Sequence, residues 1–349
     1  MSPQHIASAF ATIAFFLVLL RNLYVQERQP PQINDIQVYE FIAATAGVNC
    51  TSKRPVDTIP CTGTYNNRIL VAAMLAYEVD TLQIALAEYD GVADVLITEN
   101  LAIHSYKSRK QQKPLLLWPR LKSNPAFATF NSTVHYTQCT KSRTSNALWE
   151  QEFNDNKCVT DAVRQLASQY DVIVVGSVDE VLSRRTLLRL KHCHLPPLPA
   201  SGAIGMPMGL LGRKFKTDWH HPSRPFSFSL PSVWAATAPN PRRRMKSLPG
   251  PAIVGGLHMT NYCFLPAMFL KTLWATESQT GITQAHAQSN PVALKDACYR
   301  YDELHTRISA PASPETRVPW LLHMCPSSFP AWYGKLDPRE HAFQTFIRK

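Results

Sequence analysis

Apolar residues fall into two textures along this chain. Residues 171–175 (Asp-Val-Ile-Val-Val) form a β-branched run without period-two alternation. A central parallel strand covered on both faces reads this way. The run ends in Gly176 and Ser177, and two carboxylates, Asp179 and Glu180, follow at once. Comparable runs predict strands over residues 69–76, over 93–98 (ending in Glu99 and Asn100) and over 133–138. Helical spacing lies between them: Leu82, Ala85 and Leu86 within 79–89, and Val159, Val163 and Leu166 within 146–169. Another helix is expected over 184–192. Strands alternating with helices predict an α/β fold with a largely parallel sheet. Past Leu195 the texture changes, with Pro196, Pro197 and Pro199 marking irregular chain. Residues 226–230 alternate as a strand, 252–262 read as a further strand, and 266–276 as a helix. Periodicity is weak beyond residue 280, and no internal repeat stands out.

The N-terminus has its own pattern. Residues 6–20 carry no charge and are dominated by Ala, Phe, Leu and Ile. A spanning helix needs about 20 residues. Residues 21–25 can extend the run, with Arg21 snorkelling to the interface. No small-x-small cleavage site follows and no basic segment precedes, so an uncleaved signal anchor is favoured over a cleaved signal peptide. Arg21 and Arg28 lie on the side assigned to the lumen, against the positive-inside bias. A short span suits the thinner membranes of the early secretory pathway. Residues 26–57, rich in Gln and Pro, read as a stem. The expected division is therefore 1–25 tail and anchor, 26–57 stem, and 58–349 lumenal body.

Composition narrows the classes. The chain is 45% hydrophobic and 17% charged, hence globular. Its formal net charge of +11 suits anionic partners. The basic residues are scattered in small groups, and no zinc finger or RNA-recognition signature accompanies them, so no nucleic-acid partner is expected. Eight cysteines, an even number behind an anchor, fit disulfides in an oxidising compartment, with pairing not readable. His192-Cys193-His194 is too tight to chelate one tetrahedral zinc. Asn49-Cys50-Thr51 and Asn131-Ser132-Thr133 are glycosylation acceptor sequences.

In open α/β sheets, ligands bind beyond the carboxyl ends of the strands. Acidic residues there commonly hold a divalent cation that grips a diphosphate. The Asp179-Glu180 pair therefore points to a nucleotide-activated substrate. The competing reading is a solvated acidic turn.

Several blocks, in order, resemble the segments of one enzyme family. Residues 77–86 (Tyr-Glu-Val-Asp-Thr-Leu-Gln-Ile-Ala-Leu) resemble the family's N-E-L-D-L-L-E-I-R-L segment. Residues 94–99 resemble its Y-F-V-I-V-E strand, and His104 with Lys113-Pro114 loosely resembles its T-x-T-G-K-P-K-P loop. Residues 149–152 (Trp-Glu-Gln-Glu) resemble W-E-R-E, 176–180 resemble S-D-V-D-E, and 256–260 resemble G-W-H-x-S. Lys271 falls near a family lysine. Taken in order over about 68–277, these blocks resemble glycosyltransferase family 17, the β-1,4-mannosyl-glycoprotein 4-β-N-acetylglucosaminyltransferases.

The resemblance implies a GT-A-like nucleotide-sugar-binding fold on a mainly parallel sheet, within a single-pass type II Golgi or ER membrane protein. It implies a UDP-N-acetylglucosamine or related UDP-sugar donor, a glycoprotein or oligosaccharide acceptor, Mn²⁺ or Mg²⁺, and inversion at the anomeric carbon. Asp179 and His258 are the expected metal ligands, and Glu78, Asp80, Ser177 and Lys271 the expected donor contacts. Glu99 and Glu180 are the catalytic candidates, with the general base unassigned. Each has a plainer reading. Glu78 and Asp80 can begin a helix, where acids complement the dipole, and Glu180 can cap the helix near Arg184. His258 and Trp149 can be structural, and Lys271 a solvated helix lysine.

Two positions depart from the family pattern. Ser177 stands where the family has the first Asp of D-x-D, and a hydroxyl is a poor ligand for a hard cation. Asn156-Lys157 stands in place of Arg-Asn. On an extended segment, Ser177 and Asp179 would face one ion. The departures leave open a catalytically weak lumenal glycan-binding or scaffold protein on the same fold.

Overall fold

The computed structural model describes residues 35–56, 61, 65–100, 115–130, 132–139, 148–193, 202–205, 207–208, 216–217, 232–235, 253–259, 263–274, 318–333 and 335–346. The described strands are β1 (Ile69–Met74), β2 (Asp94–Asn100), β3 (Val134–Cys139), β4 (Val172–Ser177), β5 (Glu180–Val181), β6 (Gly202–Gly205), β7 (Pro207–Met208), β8 (Lys216–Thr217), β9 (Ser232–Ala235), β10 (Ile253–Val254) and β11 (Leu257–His258). The described helices are α1 (Asp35–Ala44), α2 (Val79–Tyr89), α3 (Trp118–Leu121), α4 (Pro125–Ala128), α5 (Leu148–Leu166), α6 (Arg184–His192), α7 (Leu265–Trp274), α8 (Trp320–Met324) and α9 (Pro338–Phe346).

A seven-stranded sheet runs β10-β6-β9-β4-β1-β2-β3. β3, β2, β1 and β4 are parallel neighbours. β9 runs antiparallel to both β4 and β6, so the sheet is mixed with a parallel centre. A smaller sheet runs β5-β11-β7-β8.

The absence of alternation in β1 and β4 is explained by burial on both faces. Val71, Ala73, Val172 and Val174 pack with α2, α6 and α7. Leu70, Ala72, Ile173 and Val175 pack under α5 through Val159, Ala162 and Val163. Full burial of an aliphatic side chain of this size contributes roughly 1.5–3 kcal/mol.

The helix over 79–89 and the one over 184–192 form with the expected bounds. α6 starts at Ser183, whose hydroxyl accepts from the Thr186 amide. The expected strand over 252–262 is instead two short strands broken at Gly255-Gly256. A Cβ at Gly255 would lie 1.7 Å from Thr186 Oγ1, so only glycine lets this chain pass the α6 N-terminus. The strand expected over 226–230 lies outside the described residues.

The segment read as stem contributes to the body. α1 buries Val38, Tyr39, Phe41 and Ile42. Phe41 meets the Phe343 ring at 5.2 Å and the Phe346 ring at 5.7 Å on α9. The Gln- and Pro-rich residues before it hid this ten-residue helix, which is itself largely apolar. Disulfides join Cys50–Cys325, Cys61–Cys193 and Cys139–Cys158, and Cys263 is also disulfide-bonded. Among the described residues no helix is long and apolar enough to cross a membrane; residues 6–20 lie outside them.

Candidate functional site

β1 is the switch point of the sheet. The chain proceeds from β1 to β2 on one side and returns to β4 on the other, with Met74 level with Ser177. A crevice opens where adjacent parallel strands diverge in this way. Glu78 follows β1, and Asp179 sits in the turn between β4 and β5.

The two acids line one small open cleft, together with Tyr77, Thr81, Met259 and Lys271. Each arrives by a different device. The Glu78 carboxylate turns back on its own loop, where Oε2 accepts from the Ala76 amide at 3.2 Å and the Tyr77 amide at 2.9 Å. Tyr39 of α1 braces this loop by donating its hydroxyl proton to the Ala76 carbonyl. The Asp179 carbonyl accepts from the Met259 amide at 2.6 Å, tying the β4–β5 turn to the end of β11. Thr81, three residues beyond Glu78, presents to the same cleft by helical spacing.

Burial raises the Glu78 pKa above its ordinary 4.5, and the nearby Asp179 charge raises it further. The amides of Tyr77 and Ala76 oppose both effects. Two carboxylates in one half-buried cleft make a place for a cation or a shared proton.

Glu180 is buried, and its Oε2 accepts from the Ser177 amide at 2.7 Å, closing the turn that carries Asp179. Its strand pairs with β11, placing Glu180 opposite His258. The His258 side chain lies outside the described residues, as do those of Trp149 and Glu150 on α5.

Ser177 differs from expectation. It ends β4 in phase with Ile173 and Val175, which pack under α5, and it is not part of the cleft lining. A turn, not extended chain, separates it from Asp179, so the i and i+2 correspondence does not carry across.

Asp80 and Glu99 are engaged in the scaffold. Asp80 pairs with Arg339 through two bonds of 3.0 and 2.7 Å, and Arg339 also grips Asp337 and lies over the Phe264 ring at 4.4 Å. Glu99 is fully buried and accepts from the Leu117 and Trp118 amides, each at 2.8 Å. Burial and the Glu99 charge both raise the Tyr136 pKa. Two further buried acids act alike. Glu88 accepts from Arg184 N and Trp320 N, at the first residues of α6 and α8, and Glu340 accepts from Leu265 N at the start of α7. Each places a negative charge at a helix N-terminus. Asp80 instead bonds sideways to an arginine.

Among the described residues no group of three or more His, Cys, Asp or Glu side chains is placed to hold a metal ion. Two carboxylates nonetheless fit the common Mg²⁺ arrangement, in which one or two protein acids and the substrate's phosphates share the ion.

No family model matches this chain, and no curated protein matches it. Among solved structures it is matched to the apo structure of the WbbM bifunctional glycosyltransferase. The match is 13% identical and covers 45% of this chain and 25% of that one, with a TM-score of 0.18. The chain thus spans about a quarter of that protein's length.

Proposed function

We propose that this protein is a glycosyltransferase that takes a nucleotide-diphosphate sugar at the β1–β4 switch point. The observation that carries the reading is the meeting of Glu78 and Asp179, from the ends of adjacent parallel strands, in one cleft with Lys271. On this reading Glu78 and Asp179 hold Mn²⁺ or Mg²⁺, which would neutralise charge on the departing diphosphate. Lys271 faces the same charge from α7, and Thr81 offers a hydroxyl to the donor. The order of sequence blocks further suggests a UDP-N-acetylglucosamine-like donor, a glycan acceptor and an inverting transfer.

The remaining acids take positioning roles in this proposal. Glu180 shapes the turn that presents Asp179. Glu99 fixes the chain entering α3, and Asp80 locks α2 to α9 through Arg339. His258 stands opposite Glu180 in register and remains the candidate for a third metal ligand. The apolar residues 6–20 and the disulfides favour a lumenal body on a Golgi or ER membrane.

Isothermal titration of the full chain with UDP, with and without Mn²⁺, tests the site. Metal-dependent UDP binding that Asp179→Asn removes would support it. UDP binding indifferent to metal and to this variant would remove the assignment. A second reading, a glycan-binding protein on this scaffold, is favoured by Ser177 and by the structural engagement of Asp80 and Glu99. Glycan-array binding without any nucleotide affinity would decide for it.

A further inference from the structure

We propose that Asn49 is an N-glycosylation site that is modified before the disulfide beside it closes. The proposal rests on the lumenal reading above. Asn49 and Thr51 of the Asn49-Cys50-Thr51 acceptor sequence are both exposed. The Asn49 side chain makes no hydrogen bond among the described residues, so its amide points to no competing structural duty. Its neighbours, however, are pinned on both sides. The Gln83 side-chain amide donates to the Val48 carbonyl at 2.7 Å and accepts from the Val48 amide at 2.9 Å. Cys50 is bonded to Cys325. In the finished fold the acceptor segment therefore has little freedom to enter the active site of a transferring enzyme.

The nascent chain is different. Cys325 lies 275 residues after Cys50. At about 5–20 residues per second, it emerges roughly 14–55 s later. Until then the second pin does not exist, and the acceptor sequence is part of a flexible chain. The step itself is a glycosyl transfer from a lipid-linked oligosaccharide diphosphate. A bond forms between Asn49 Nδ2 and the anomeric carbon, and the bond from that carbon to the diphosphate oxygen breaks. The lipid diphosphate leaves with the electron pair, and the amide gives up one proton to a base of the transferring enzyme. The glycan then occupies solvent beside a closed disulfide.

The test is site occupancy in the full chain made by a secretory host. Peptides are mapped after an amide-cleaving glycosidase in isotopically labelled water, which marks each former glycan site. Wild type, Thr51→Ala, Asn131→Gln and Cys325→Ser are compared. Asn49 is expected to be mostly occupied in wild type and in Asn131→Gln. Thr51→Ala should lose it, and Cys325→Ser should leave its occupancy unchanged within about 1.5-fold, because modification comes first. An unmodified Asn49 beside a modified Asn131 would overturn the proposal while leaving the lumenal reading intact. Absence of glycan at both positions would remove the lumenal reading and the proposal with it. Occupancy that rises several-fold in Cys325→Ser would show that the disulfide competes, and would overturn the order of events.

Discussion

Glu78 and Asp179 are 101 residues apart in sequence numbering yet line one cleft, because β1 and β4 are neighbours in the sheet. Asp179 raises the proton affinity of Glu78, so the two acids are one electrostatic unit. The proposed chemistry depends on this pair more than on any other contact. Asp179→Asn should therefore lower sugar transfer by about 10²-fold or more, the usual cost of a lost charge contact in a reacting site. Its melting temperature should stay near wild type, since the main-chain bond from Met259 to the Asp179 carbonyl is retained. Initial rates with a UDP-sugar donor, beside a thermal melt, measure both. Full activity in the variant would dismiss the site.

Glu78→Gln separates electrostatics from folding. The folded pKa of Glu78 is raised, first by burial and then by Asp179. Folding thus favours the protonated form. That contribution is fully present below the unfolded pKa and is lost as pH rises through the folded pKa. The contribution of this group to stability is therefore smaller at neutral than at acid pH. The glutamine variant, which keeps an acceptor for the Ala76 and Tyr77 amides, should melt roughly 1–4 °C higher at about pH 7 and the same as wild type at about pH 4. Equal shifts at both pH values would show that the charge is not the cause.

Ser177→Asp should not tighten Mn²⁺ binding. Its strand phase directs it with Ile173 and Val175, away from the Asp179 cleft. Its own amide already donates to the Glu180 carboxylate, so a new carboxylate adds a like charge near a buried one. The expected result is an unchanged metal titration and a lower melting temperature. A tenfold gain in Mn²⁺ affinity would mean that the turn rearranges to bring both side chains to one ion.

Asp80→Asn addresses the scaffold. Asp80 is buried, and its Arg339 partner is mostly so. Removing one member of such a pair costs roughly 3–5 kcal/mol, less here because Arg339 keeps Asp337. Urea unfolding should show a loss of about 2–3 kcal/mol, with donor affinity per folded molecule little changed. A large loss of donor affinity at unchanged stability would place Asp80 in the binding site itself.

Much of the parallel core was legible because its signals are local. The unalternating runs of β1, β2 and β4, and the helical spacing of α2 and α5, each lie within one short segment. The carboxyl-end rule then placed Asp179 at a crevice, and Glu78 and Lys271 join it there. What stayed hidden depends on distant partners. Nothing in the sequence around Asp80 announces Arg339, 259 residues away. Glu99 ends a strand as a ligand-binding acid would, but its oxygens face the amides of Leu117 and Trp118. α1, apolar at seven of its ten positions, was concealed by the Gln- and Pro-rich residues 26–32 just before it. The orientation of Ser177 turned on one local fact, a turn where extended chain was expected.

The contact of Phe41 with Phe343 and Phe346 also bears on circular permutation. α1 and α9 lie side by side, so a short linker from Phe346 to Asp35 would leave the strand order of both sheets intact. In such a permutant the Cys50–Cys325 bond would change character without moving. Through the linker it would close a loop of roughly 40 residues instead of one of 275. Chain-entropy reasoning then makes it about 1–2 kcal/mol less stabilising than in the natural order. The same two sulfur atoms would serve as a short-range clip, and the contribution of this bond belongs to the route the chain takes as much as to the place it ties.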